Sequence, residues 1–179
     1  MKPQLVSSKT LYDGRIIKLQ IDEVRLEDGA ICKREVARHA AAVCVFAYDS
    51  EYGYLVSQYR HPVGEYVLEA VAGLCEKGED PALAAKRELN EETDAICEEL
   101  EPLGTFYPSP GFTDEVIYLY AARITGYAKG TPDADEHITV KKYPLGELYR
   151  MALDGEITDG KTQTVILKYF ARRKRGEKI

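Results

Sequence analysis

Three glutamates, Glu88, Glu91 and Glu92, stand at positions i, i+3 and i+4, a spacing that puts all three carboxylates on one face of a helix. Like charges at this spacing destabilise a helix by roughly 0.2–0.5 kcal/mol per pair. A hard divalent cation reverses that sign, because Mg²⁺ takes oxygen ligands from a few carboxylates and fills its shell with water and substrate phosphate. For three glutamates alone, a solvated acidic face is the commoner arrangement. Glu79 lies eight residues before Arg87, within reach of an ion pair that would tie a loop to the helix.

These groups need elements to carry them. The helix is signalled at Asp80-Pro81, an N-cap residue followed by proline at the first helical position, and is expected to run to about Thr93. Ala82, Ala85 and Leu89 form its apolar stripe, with the charged residues opposite. Upstream, residues 15 to 26 alternate apolar and polar side chains, Glu27-Asp28-Gly29 carries hairpin chemistry, and residues 30 to 39 follow as a second strand of a β-meander. Residues 41 to 48, 54 to 60, 66 to 71 and 116 to 122 read as further strands, several apolar enough for burial on both faces. Two more helices are expected, near 144 to 154 with Gly155 ending the first, and near 160 to 175 with the stripe Val165, Ile166, Tyr169 and Phe170. The fold class is α+β or an α/β sandwich, without internal repeats.

Gly73, Glu79, Arg87, Glu88, Leu89, Glu91 and Glu92 match in register a sequence that resembles the Nudix box, G-x5-E-x7-R-E-U-x-E-E-x-G-U, where U is bulky and aliphatic. At residue frequencies of about 5–7% the fixed positions coincide by chance on the order of once in 10⁵ such chains. Asp94 replaces the final box glycine, which would serve as a left-handed helix C-cap, and Ala95 replaces the aliphatic residue. The resemblance implies a Nudix-type α/β/α sandwich over residues 41 to 179, preceded by an antiparallel β-meander over residues 1 to 40 that serves in dimerisation. It also implies that Glu88, Glu91 and Glu92 bind Mg²⁺, or alternatively Mn²⁺, that Ala72 adds a backbone carbonyl, and that Gly73, Glu79 and Arg87 are structural.

The flanks narrow the resemblance to the ADP-ribose pyrophosphatase group. Ser57-Gln58-Tyr59-Arg60, Leu68-Glu69-Ala70-Val71-Ala72-Gly73, Ser109-Pro110-Gly111-Phe112-Thr113-Asp114-Glu115 and Gly155-Glu156-Ile157-Thr158-Asp159-Gly160-Lys161-Thr162 carry it, with Pro110 sixteen positions beyond Asp94. The activity so implied is hydrolysis of ADP-ribose to AMP and ribose 5-phosphate in a homodimer that exchanges its N-terminal strands. Arg34, Arg60, Glu69 and Pro110 would line the substrate, Arg being a bidentate partner for oxyanions. Glu136 aligns with a further metal-binding acid, whereas Ala134 stands where the group carries its catalytic base. Glu92, Glu115, Asp135 and Glu136 are the candidate catalytic acids. A second substrate reading is GDP-mannose or another nucleoside diphosphate sugar, and a reading of another class is a binding-only sensor; hydrolysis of oxidised nucleoside triphosphates fits the flanks less well.

Composition agrees with this picture and excludes others. The chain has 179 residues, enough for one domain or a core with a small appendage. A net charge of −6 argues against general nucleic-acid binding, and the one basic run, residues 172 to 175, reads as a solvated helix end. Four scattered cysteines contain no C-x-x-C pair, so neither a zinc site nor a redox motif is encoded, and reduced thiols are expected. With neither a signal peptide nor a membrane-spanning run in the sequence, a cytoplasmic location is expected. His39, His61 and His137 are too dispersed for a triad or a metal cage. Glu136→Gln is expected to lower turnover strongly and Asp135→Asn less so; wild-type cleavage rates in both variants would remove this acidic loop from the mechanism.

Overall fold

In the computed structural model, residues 2–131 and 137–176 are described, and they form two compact units. The first comprises residues 1–41 with 107–116. Its frame is an antiparallel sheet of β1 (Gln4–Asp13), β2 (Ile17–Arg25) and β3 (Ile31–His39), in that order. The turn between β2 and β3 uses Gly29 at φ 87°, a left-handed value that glycine adopts without a Cβ penalty, and Asp28 accepts from the Ala30 N–H at 3.0 Å. Residues 107–116 are stitched to β3: Ala37 N–H donates to the Phe112 carbonyl at 2.8 Å, and His39 N–H to Asp114 Oδ1 at 3.0 Å. Arg38 gathers this unit's polar side, donating to Gln20, to buried Asp22 and to Asp114.

The second unit comprises residues 42–106 and 117–179. Its sheet runs β12 (Thr139–Pro144), β5 (Tyr52–Arg60), β4 (Ala42–Tyr48), β10 (Ile117–Arg123), β9 (Leu100–Phe106), with β6 (Glu65–Glu69) on β5 and β7 (Val71–Leu74) on β4, while the short β8 (Ala95–Ile96) and β11 (Gly126–Tyr127) pair with each other. A hairpin cannot link β4 to β10, because they pair in parallel and so need a long crossover. All of β4 is buried, and its period of two feeds two cores. Cys44, Phe46 and Tyr48 face α2 (Leu145–Asp154) and α3 (Gly160–Lys174), packing with Leu148, Ile166 and Tyr169. Val43, Val45 and Ala47 face α1 (Pro81–Thr93), packing with Ala84, Ala85 and Leu89. This unit is therefore an α/β/α sandwich. Gly53 permits the close approach of α2, since a Cβ there would lie 2.5 Å from Leu148 Cδ1.

Each expected helix forms within a residue or two of its reading. Asp80 caps α1 by accepting from Ala82 N–H at 2.7 Å, and Asp159 caps α3 by accepting from Thr162 N–H at 3.0 Å. Gly155 ends α2 at φ 78°. The strands differ more. β1 was not expected, because all ten of its residues are exposed and a strand that buries no face leaves no hydrophobic period to read. β9 was hidden by Pro102 and Gly104, which an edge strand tolerates. β12, the other edge, is exposed at five of six residues. Residues 66 to 71 do not make one strand: Ala70 separates β6 from β7, which pair with different neighbours. The basic run is not wholly solvated, since Arg172 donates to Glu101 and to the Pro102 carbonyl, both at 2.8 Å.

Asp94 takes the left-handed C-cap of α1 at φ 57°, where the box pattern places glycine, and its N–H donates to Asn90 O. Its side chain offsets the strain: Asp94 Oδ1 accepts from Gly130 N–H at 2.7 Å, and Asn90 Nδ2 donates to the neighbouring Ala128 carbonyl, also at 2.7 Å. Asp94→Ala keeps the unfavourable φ and loses this bond, so it should cost about 1–2 kcal/mol in urea unfolding. Asp94→Gly, which relieves φ, should cost less; an alanine variant as stable as wild type would show that the bond to Gly130 contributes nothing.

Candidate active site

The Nudix-box segment folds as the end of β7, a loop over residues 75–80 and helix α1. Arg87 joins all three. Its Nε and Nη2 donate to Glu79 Oε1 and Oε2, each at 3.0 Å, Nη2 also donates to the Leu74 carbonyl at 2.9 Å, and Nη1 reaches Glu88 Oε1 at 2.7 Å and Glu91 Oε2 at 2.9 Å. Glu79 in turn accepts from Glu76 N–H at 2.8 Å, so the loop is fastened at both ends. Hydrogen bonding from Arg87 holds the Glu79 carboxyl below its usual range, and hydrogen bonding to Glu79 holds the guanidinium above its own. The expected pairing of Glu79 with Arg87 is thus present, and it is bidentate.

The acidic face is not the solvated one that three glutamates would suggest. Glu88 and Glu92 are buried, at 9% and 8% exposure, and Glu91 is half-buried. Gly73 lies directly under Glu88: a Cβ at 73 would stand 2.0 Å from the Glu88 carboxyl carbon. The box glycine is therefore required by close approach, since its φ is not in the left-handed region. Ala72 precedes it in β7 and pairs with Cys44 of β4.

Among the described residues no three acidic, His or Cys side chains converge into a ready-made metal cage. Helix α1 instead presents an aligned set of carboxylate oxygens, two of them shared with Arg87. Oxygen donors held in part by a guanidinium fit a hard divalent cation that keeps water and phosphate in its shell, and they do not fit a soft thiolate-seeking metal.

A second polar cluster sits where β6 ends. Glu69 is 2% exposed and receives Arg60 Nε at 2.6 Å and Nη2 at 2.9 Å. Lys161 also donates to Glu69 and pairs with Asp159 at 3.1 Å. Burial opposes ionisation of Glu69, yet the bonds from Arg60 and Lys161 outweigh it and keep the carboxyl below its usual range. Thr162 Oγ1 accepts from Ala70 N–H at 2.7 Å, fixing the break between β6 and β7. Glu69 and Arg60 were expected here; Lys161, Asp159 and Thr162 were not given roles. Lys161 lies 92 residues from Glu69, a contact no local pattern encodes.

The remaining expected residues belong to the first unit or lie outside the described residues. Arg34 and Lys33 line a cleft of about 560 Å³ with Ile21, Glu35, Gly111 and Phe112. Pro110 is exposed beside it in the chain, in a turn closed by Phe112 N–H and Thr113 N–H donating to the Ser109 carbonyl, both at 3.1 Å. Glu115 stands 3.7 Å from His39 Nδ1, a partner the sequence did not suggest. Ala134, Asp135 and Glu136 lie outside the described residues.

Gly73→Ala should fold, because the flexible Glu88 carboxyl can swing aside, but Glu88 would leave its place beside β7. Metal-dependent activity should then require on the order of 10–100-fold more divalent cation, measured by Mg²⁺ and Mn²⁺ titration with the melting temperature as control. An unchanged metal requirement would separate Glu88 from metal binding.

Comparison with known proteins extends over most of the chain. The NUDIX domain family model matches residues 37–163, and the Nucleoside diphosphate sugar hydrolase N-terminal domain model matches residues 4–37. The chain is 40% identical to a methanol dehydrogenase activator of Bacillus methanolicus, over 88% of this chain and 86% of that one. It is 32% identical to an ADP-ribose pyrophosphatase of Bacillus subtilis (strain 168), over 93% and 91% of the two chains. The crystal structure of an ADP compounds hydrolase superposes with a TM-score of 0.88 over 99% of this chain and 98% of that one, at 19% identity, which shows a common fold.

Proposed function

The chain belongs to the Nudix hydrolase family, and on that footing we propose that it cleaves the pyrophosphate bond of ADP-ribose with Mg²⁺, giving AMP and ribose 5-phosphate. The observation that carries the reading is the complete set of box carboxylates, mounted on α1 and organised by Arg87, in a chain similar to an ADP-ribose pyrophosphatase along almost its entire length. The N-terminal unit supports a sugar nucleotide in particular, since it matches a domain of nucleoside diphosphate sugar hydrolases.

In this reading Glu88, Glu91 and Glu92, with the Ala72 carbonyl and Glu136, hold the metal. Bound Mg²⁺ supplies neutralisation of diphosphate charge and a water made more acidic by coordination. Arg60, presented by Glu69, and Arg34 take phosphate or ribose oxygens through their planar forks, and Pro110 lines the substrate. Glu136, Asp135 or Glu115 accepts the proton from the attacking water, with Ala134 in the position that lacks a carboxylate. Leu5, Val6, Leu11 and Tyr12 are exposed along β1, at 61%, 45%, 52% and 59%, an apolar set that a homodimer with exchanged N-terminal strands would cover. The four free cysteines accord with the cytoplasm.

The Bacillus methanolicus relative, a methanol dehydrogenase activator, supports a second reading, in which the chain is a binding-only sensor of a nucleotide sugar that regulates a partner enzyme. Release of AMP from ADP-ribose against GMP from GDP-mannose, with Mg²⁺, separates the substrates. Activity on ADP-ribose is expected to be at least about tenfold higher in kcat/KM and to collapse in Glu92→Gln. A preference for GDP-mannose would replace the substrate, and tight ADP-ribose binding without hydrolysis at saturating Mg²⁺ would favour the regulatory reading.

A further inference from the structure

The Arg60–Glu69 pair is asymmetric. The Glu69 side chain is 3% exposed and that of Arg60 40%, so the carboxylate is the inner anchor and the guanidinium the surface end. Two parallel bonds set the plane of that guanidinium, but only if Glu69 itself is fixed. A buried carboxylate held by one half-exposed arginine would be free to follow it outward, since returning to water recovers solvation that burial removes.

Lys161 prevents this from the inner side. Its side chain is 17% exposed, and its ammonium lies between Glu69 and Asp159. Burial works to discharge Lys161, and the two carboxylates overcome that and raise its affinity for the proton. Asp159 is immobilised as the N-cap of α3, and Thr162 of the same turn binds the backbone at Ala70, next to Glu69. The first turn of α3 therefore grips both the side chain and the following backbone of the residue that orients Arg60. With its charge engaged by two carboxylates in a largely enclosed position, the ammonium is poorly placed to meet a substrate phosphate itself.

We propose that Lys161 is a positioning residue for diphosphate recognition, locking Glu69 so that Glu69 presents the Arg60 guanidinium in one orientation. The inference rests on the proposed function in taking Arg60 as a group that touches the substrate diphosphate. Nothing in it passes through the metal, and it separates Lys161 from the α1 carboxylates.

The test uses the full chain with Lys161→Met, Lys161→Arg and the milder Asp159→Asn, which weakens the same ammonium from its other side while keeping a capping side chain. In steady-state hydrolysis of ADP-ribose with Mg²⁺, Lys161→Met should raise KM about tenfold and leave kcat within about threefold, as expected for loss of uniform binding. Lys161→Arg should recover most of the loss, and Asp159→Asn should move KM in the same direction by less. As a readout independent of turnover, phenylglyoxal labelling of Arg60, followed by peptide mass spectrometry, should quicken severalfold in Lys161→Met and remain near wild type in Lys161→Arg. Wild-type KM and labelling in folded Lys161→Met would overturn the proposal, as would a fall in kcat at constant KM that arginine does not rescue. Should Lys161→Met fail to fold, unchanged KM and labelling in Asp159→Asn would likewise overturn it. If the wild type cleaves no nucleoside diphosphate sugar, the proposed function fails, while Arg60 labelling still decides whether Lys161 positions that side chain.

Discussion

The guanidinium of Arg87 makes the acidic face of α1 possible. Two of its three nitrogens hold the loop through Glu79 and the Leu74 carbonyl, and the third lies between Glu88 and Glu91. Without it, carboxylates drawn toward the sheet would repel one another in a region of reduced dielectric, and the chain would expel them to solvent or protonate them. A face built to receive a cation is thus assembled around a built-in cation. Arginine suits the task better than lysine because its planar fork can serve four acceptor groups in fixed directions.

The short strand β7 is where this arrangement meets the rest of the second unit. Leu74 gives its carbonyl to Arg87, Gly73 gives up a side chain to let Glu88 in, and Val71 packs in the core beneath α1. One residue earlier Ala70 is tied to Thr162, and Glu69 to Lys161. Helices on both faces of the sheet therefore act on the same few residues, α1 through Arg87 and Glu88 and α3 through its first turn. Such convergence gives precision, because an error at either helix is transmitted to a strand with little freedom to absorb it.

Much of this was legible beforehand where physics acts locally. The caps Asp80 and Gly155 and the stripe of α3 depend on a turn or two of chain, and each fell where the sequence placed it. The left-handed role of Asp94 was likewise readable, because the box pattern asks for that geometry. Its bond to Gly130 was not, since the two residues are brought together by the fold. The edge strands escaped notice for the opposite reason: β1 and β12 bury almost nothing, so their residues carry no hydrophobic period, and pairing with a neighbouring strand makes them strands.

By itself the sequence determined the spacing of Glu88, Glu91 and Glu92 on one helical face, the pairing of Glu79 with Arg87 and the Nudix character of the chain, because each depends on covalent spacing and residue type. The tertiary structure decided how those groups are held. It buried Glu88 and Glu92, placed Gly73 against the Glu88 carboxyl, and brought Lys161 across 92 residues to Glu69. Those outcomes depend on desolvation and on contacts between distant segments, which come into being only when the strands pair and the helices pack.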